Sequence, residues 1–134
     1  MPDSIELEIA TPERELVRET VGEVQIPARN GYMGVLPGHA PLLGLLGTGF
    51  LSYTAGGKTR YLSVHGGFVE VLPDKVRILA DVAERAEEID IARARRDLQR
   101  AQEQVMNPSL GVDPAVALDA MEVAQSRITA AERK

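Results

Sequence analysis

The hydrophobic period of this chain changes once, and that change limits the fold more than any other feature. From Ser4 to about Ala80 apolar residues recur at every second position. In IELEIA, Ile5, Leu7 and Ile9 alternate with Glu6 and Glu8, and in VGEVQI, Val24 and Ile26 alternate with Glu23 and Gln25. Such segments predict strands with one buried face. FLSYTA, TRYLSV, FVEVL and KVRILA follow, separated by GGK at Gly56–Lys58, HGG at His65–Gly67 and PDK at Pro73–Lys75, which read as turns at hairpin spacing. Short strands at even intervals predict a β-sandwich or flattened barrel.

After Ala80 the alphabet shifts to Ala, Glu, Arg and Gln, and the period lengthens to that of a helix. Ile91, Ala94, Leu98, Ala101 and Val105 form one narrow seam; Ala117, Met121, Ala124, Ile128 and Ala131 form a second. Between them, Asn107 and Pro108 stop one helix and Gly111 turns the chain. Asp113 can then cap the next helix, with Pro114 at its first position. The fold class is therefore α+β: a sandwich over residues 1–84, then an antiparallel two-helix hairpin over 85–134. Alanine seams bury little area each, so at about 25 cal/mol per Å² the hairpin is weakly held and expected to move.

Composition removes several functions. The chain has no cysteine, hence no disulfide, thiolate metal site or thiol nucleophile. With 20 acidic against 15 basic residues and a net charge of -5, it is not expected to bind nucleic acid. The N-terminus MPDSIELEIATPERE resembles neither a secretory signal nor a transit peptide, and no apolar run approaches the roughly 20 residues that span a bilayer. A protein of this kind is expected at a membrane only through a partner.

No nucleophile–base pair, cleft carboxylate pair or metal-ligand spacing is legible, so neither a catalytic nor a metal site is expected. His39 and His65 each lie near glycine, and structural or hydrogen-bonding roles suit them best. Gly56–Lys58 lacks the rest of a phosphate-binding loop. In EIDIARARRDLQR, Arg93, Arg96 and Arg100 share a helix face away from the seam. That face reads either as solvated charge or as an anion site, because guanidinium forks suit phosphate oxygens. Asp90 reads as a helix cap or as an acceptor for a ribose hydroxyl or adenine amine.

One stretch resists both periods. GYMGVLPGHAPLLGLLGTGF, Gly31 to Phe50, is apolar but interrupted by glycines, by Pro37 and Pro41 and by His39, and is expected to be neither helix nor ordinary strand. Together with VHGGFVEVLPDKVRILADVAERAEEID it resembles the epsilon subunit of bacterial F-type ATP synthases, from about Ile5 to the C-terminus. Gly34, Pro37, Gly38, His39, Ala40, Pro41 and Leu42 match that family's G-x-x-P-G-H-A-P-L, and Gly66, Gly67 and Phe68 match its second glycine signature. Where several members carry an acidic residue just before this run, the present sequence has Tyr32.

The resemblance implies a β-sandwich of about ten strands at the foot of a rotating central stalk. There it would bind the gamma subunit and touch the polar loops of the c-ring through Gly31, Tyr32, Met33, Gly34, Pro37, Gly38, His39, Pro41 and Leu42. It implies a non-catalytic subunit, peripheral on the cytoplasmic face of a bacterial membrane, whose hairpin either folds down or extends among the alpha and beta subunits to block ATP hydrolysis. No cofactor is required, but regulatory ATP is implied by the [I/L]-D-x-x-R-A motif, matched by Ile89, Asp90, Arg93 and Ala94. Glu84 falls at a further family contact, and Arg100 and Arg127 are candidate phosphate partners. The alternative is a free-standing nucleotide-sensing module without a rotary partner. Exposed Leu36, Leu42, Leu43, Leu45 and Leu46 between glycines would be hard to reconcile with it.

Overall fold

The computed structural model describes residues 3–133; the parts of the two predicted domains at positions 1–2 and 134 lie outside the described residues. Eight strands come first: β1 Ile5–Ala10, β2 Glu15–Val21, β3 Glu23–Ala28, β4 Gly31–Val35, β5 Leu42–Leu45, β6 Thr48–Ala55, β7 Lys58–Val71 and β8 Lys75–Arg85. A single 3-10 turn at Ala86–Glu88 leads into α1, Ile91–Met106, and after another at Pro108–Leu110 comes α2, Pro114–Arg133.

The strands form one sheet in the order β2-β1-β8-β7-β6-β3-β4, with β5 pairing β7 off that path. All neighbours are antiparallel except β1 and β8. β7 makes a sandwich of this sheet because it serves both layers. Its first half, Lys58–His65, pairs β6, and its second half, Phe68–Val71, pairs β5, while β8 runs beside it from Val76 to Arg85. A backbone bridge between Ala28 and Leu46 joins the layers at one end. The inward side chains follow the expected alternation: Ile5, Leu7 and Ile9 have no exposed surface, nor do Val24 and Ile26.

Four readings of the sequence need correction. Leu46, expected to be exposed, is buried in the core. His65–Gly67 is no hairpin turn but lies inside β7. Gly66 and Gly67 take φ of +70° and +121°, and a Cβ at Gly67 would overlap the Leu79 carbonyl oxygen. They bend the strand from one layer to the other while its pairing with β8 keeps register. Two expected strands thereby fuse, and the count is eight rather than about ten. Gly31–Phe50, expected to be neither helix nor ordinary strand, supplies β4, β5 and the start of β6, with a Leu36–Pro41 loop between the first two. β4 and β5 each have a single partner, β3 for one and β7 for the other, so glycine costs them little ladder.

The hairpin forms for the expected reasons. The Asp90 carboxylate accepts from the Arg93 N–H at 3.1 Å, capping α1, and Asp113 accepts from the Ala115 N–H at 2.8 Å, capping α2. Ala94 and Ala101 on α1 and Ala117, Ala124, Ile128 and Ala131 on α2 are buried along the seam. α2 also buries Ser126 and Ala130, four residues apart, as it packs on β6 and β7. Its two buried faces make it the middle layer between α1 and the sandwich.

Candidate functional site

The helices meet the sandwich at the first half of β7, through polar atoms. Ser63 Oγ and Ser126 Oγ lie 2.8 Å apart with both residues buried, each the other's partner across the interface. Two residues on, the His65 Nδ1 shares a hydrogen bond with the Thr48 hydroxyl of β6, and its Nε2 lies 3.5 Å from Asp119 Oδ2 on α2. At the end of β8, Glu84 receives Arg127 of α2 through Nε at 2.7 Å and Nη2 at 3.4 Å. The remaining Arg127 nitrogen, Nη1, faces Asp97 of α1 at 3.6 Å. One guanidinium thus ties together β8, α1 and α2, with only 17% of its side chain exposed.

Apolar contacts complete the seat near the junction. Ile89 is buried with Ala130 and Ala131, against Phe50, Tyr61 and Ile91. The Arg133 guanidinium stands 4.8 Å over the Phe50 ring, a cation–π contact at the last turn of α2. The junction itself is pinned by Arg14, whose two terminal nitrogens each reach a Glu88 oxygen at 2.9 Å. That bidentate bond, with help from the Arg85 N–H, holds the Glu88 carboxyl below the usual carboxylate range.

Arg100 and Arg127 line a cleft of about 340 Å³ between the helices, together with His65, Asp97, Gln104 and Asp119. Arg93 and Arg96 are exposed on α1 and do not line it. Of the other residues singled out for ATP, Ile89 and Ala94 are used in packing, Asp90 caps the helix, and Glu84 is bound to Arg127. Asp90 and Arg100 are ten residues apart on one helix, about 15 Å along its axis. Asp97 and Asp119 were not singled out in the sequence. Their significance lies in contacts across 30 and 54 positions, to Arg127 and His65, which periodicity does not encode.

The Gly31–Leu42 segment presents a different surface. Tyr32, 55% exposed, lays its ring 5.3 Å from Phe50 and accepts a hydrogen bond from the Phe50 N–H at 3.2 Å. Gly49 makes room for it, since a Cβ there would come within 2.5 Å of the Tyr32 hydroxyl. Met33 packs on the core, and Pro37, Gly38 and His39 form the half-buried base of the loop, where the Gly38 N–H donates to the Pro73 carbonyl. Gly31, Gly34, Pro41 and Leu42 are exposed. Beside this loop the register of β5, β7 and β8 aligns Leu45, Phe68 and Leu79 in one outward row, and they are 44%, 58% and 52% exposed. The adjacent row carries Leu43, Glu70, Arg77 and Glu8, where Glu8 also pairs with Arg18 and Lys75.

Among the described residues no group of three or more potential ligands is placed to hold a metal ion, and no helix is long and apolar enough to cross a membrane. A folded-over sheet bearing a capped helical pair, tied down by one serine pair and a three-way arginine, defines a two-part protein of sandwich and hairpin.

The sequence model for the family described as ATP synthase, Delta/Epsilon chain, beta-sandwich domain matches residues 4–86. The ATP synthase epsilon chain of Solibacter usitatus is 66% identical over the whole of both chains, and that of Koribacter versatilis is 52% identical over 78% of this chain and 74% of its own. A chain in the Euglena gracilis mitochondrial ATP synthase, in a structure of OSCP, F1 and c-ring, superposes with a TM-score of 0.78. It is 29% identical and covers 99% of this chain and 82% of its own length. The chain belongs to the ATP synthase delta/epsilon family and, within it, to the epsilon chains.

Proposed function

We propose that this epsilon chain is a non-catalytic foot of the rotor: the sandwich docks on the gamma subunit and the c-ring, and the hairpin is a switch on ATP hydrolysis. The complex would hold it peripherally, on the cytoplasmic face of a bacterial membrane. Folded down, as here, the hairpin leaves rotation free; extended, it would reach the alpha and beta subunits. The observation that carries this reading is how the hairpin is held. Its interface with the sandwich rests on Ser63–Ser126, His65–Asp119 and Arg127–Glu84, with apolar support concentrated near Ile89 and Phe50. Polar groups of this kind find water when the surfaces part, so two arrangements can lie close in free energy.

The bare row Leu45, Phe68 and Leu79 supports the docking half, since apolar side chains aligned across three strands suit burial by a partner. Tyr32 stands on β4 where several family members carry an acidic residue, and there it offers an aromatic contact rather than a charge pair. ATP is the proposed ligand of the compact state, with Asp90 and Arg93 toward the nucleoside and Arg100 and Arg127 toward the phosphates. Binding only to the folded-down form would hold the hairpin at high ATP and release it at low ATP. Co-purification with gamma tests the docking half. Calorimetric titration with ATP beside Asp90→Ala and Arg93→Ala tests the nucleotide half, and absence of heat at millimolar ATP would remove it.

A further inference from the structure

The arginine that this reading assigns to phosphate is already engaged. Arg127 gives Nε and Nη2 to Glu84 and Nη1 to Asp97, so every nitrogen faces a carboxylate. The two ties differ. Glu84 is forked against the guanidinium from the rigid end of β8, with its shorter bond at 2.7 Å. Asp97 stands 3.6 Å away on the outer helix and is 39% exposed, an ion pair too long for a hydrogen bond. Both Asp97 and Arg127 line the interhelical cleft, with Arg100 beside them. An anion entering that cleft meets Arg127 on the side Asp97 occupies, and Asp97 can turn into water at small cost.

We propose that the Asp97 carboxylate is an internal competitor for phosphate at Arg127, setting the nucleotide concentration at which the hairpin is held down. The inference rests on the assignment of the cleft to nucleotide phosphates and adds what tunes it. Without a ligand, Asp97 helps tie α1 to α2 through Arg127; with one, phosphate oxygens take over that tie and the displaced carboxylate is solvated. The same side chain therefore favours the folded-down hairpin when nucleotide is absent and opposes nucleotide binding when it is present. Its removal should shift the two properties in opposite directions. Neutralising an unrelated surface carboxylate should not.

The experiment is titration of the full chain with ATP and, separately, with inorganic pyrophosphate, followed by calorimetry and by thermal unfolding. It compares the wild type with Asp97→Asn and with Glu122→Gln, a charge-matched control on α2 that does not line the cleft. Asp97→Asn should unfold at a lower temperature without ligand, yet bind ATP and pyrophosphate roughly two- to fivefold more tightly, the range for one partly screened charge. Glu122→Gln should stay within about twofold of wild type. ATP binding by Asp97→Asn where the wild type shows none at millimolar ATP overturns the proposal together with the nucleotide reading. Wild-type binding that Asp97→Asn leaves unchanged or weakens overturns this inference alone, as does equal tightening by Glu122→Gln. Absence of binding by every variant overturns it together with the nucleotide reading.

Discussion

Glu88 shows how one side chain fixes the geometry of a junction. Its carboxylate takes both terminal nitrogens of Arg14 and the Arg85 N–H, which fastens the β1–β2 turn to the exit of β8. The hydrogen bonds from Arg14 lower its folded-state pKa, so its contribution is present above the ordinary unfolded value of about 4.3 and is lost as pH falls through the lower folded value. Glu88→Gln should therefore be less stable than wild type at pH 7, by less than about 1 kcal/mol because the pair is solvent-screened. The gap should narrow as pH falls below the ordinary carboxylate range and Glu88 takes up its proton, as read from denaturant midpoints at neutral and acid pH. This role was not legible beforehand, since Arg14 and Glu88 are 74 positions apart; Asp90, whose cap partner is three residues away, was.

At the scale of elements, the same contrast separates what the sequence disclosed from what it hid. β1 and β3 were readable because alternating Ile, Leu and Val against Glu and Gln leaves one choice of inward face. The sequence predicts two strands in place of β7 because a glycine pair looks alike in a tight turn and in a bend between layers; only the close approach of Leu79 distinguishes them. The sequence shows one buried face of α2 instead of two, because Ser126 is polar and its burial depends on Ser63 being opposite. That pair is open to test. Ser126→Ala orphans the Ser63 hydroxyl and should loosen α2 by about 1–2 kcal/mol, seen as faster native-state amide exchange along the helix. The Ser63→Ala, Ser126→Ala double variant should cost less than the sum of the single changes. Additive costs would mean that the two hydroxyls act independently.

For the whole molecule, the family and its two-part plan were accessible from the glycine signatures and the change of period. The surface proposed to meet a partner was only half visible. The sequence drew attention to Gly31–Leu46, but Phe68 and Leu79 join Leu45 only through the register of β5, β7 and β8. Phe68→Asp should weaken binding to gamma by at least about thirtyfold, the loss of one hot-spot side chain. Because that ring is 58% exposed, the unfolding temperature of the isolated chain should hardly change. Gamma binding at wild-type strength would exclude the row as the docking face.

The seat of α2 and the bare row share a rib. Ser63 and His65 lie on one half of β7, Phe68 on the other, and β8 follows alongside across the bend. Two stacked plates with no common member would creep under a turning load. Here the plates cannot slip without tearing hydrogen bonds along β7 and β8, so twist applied at either end reaches the other through continuous backbone rather than through greasy side-chain friction.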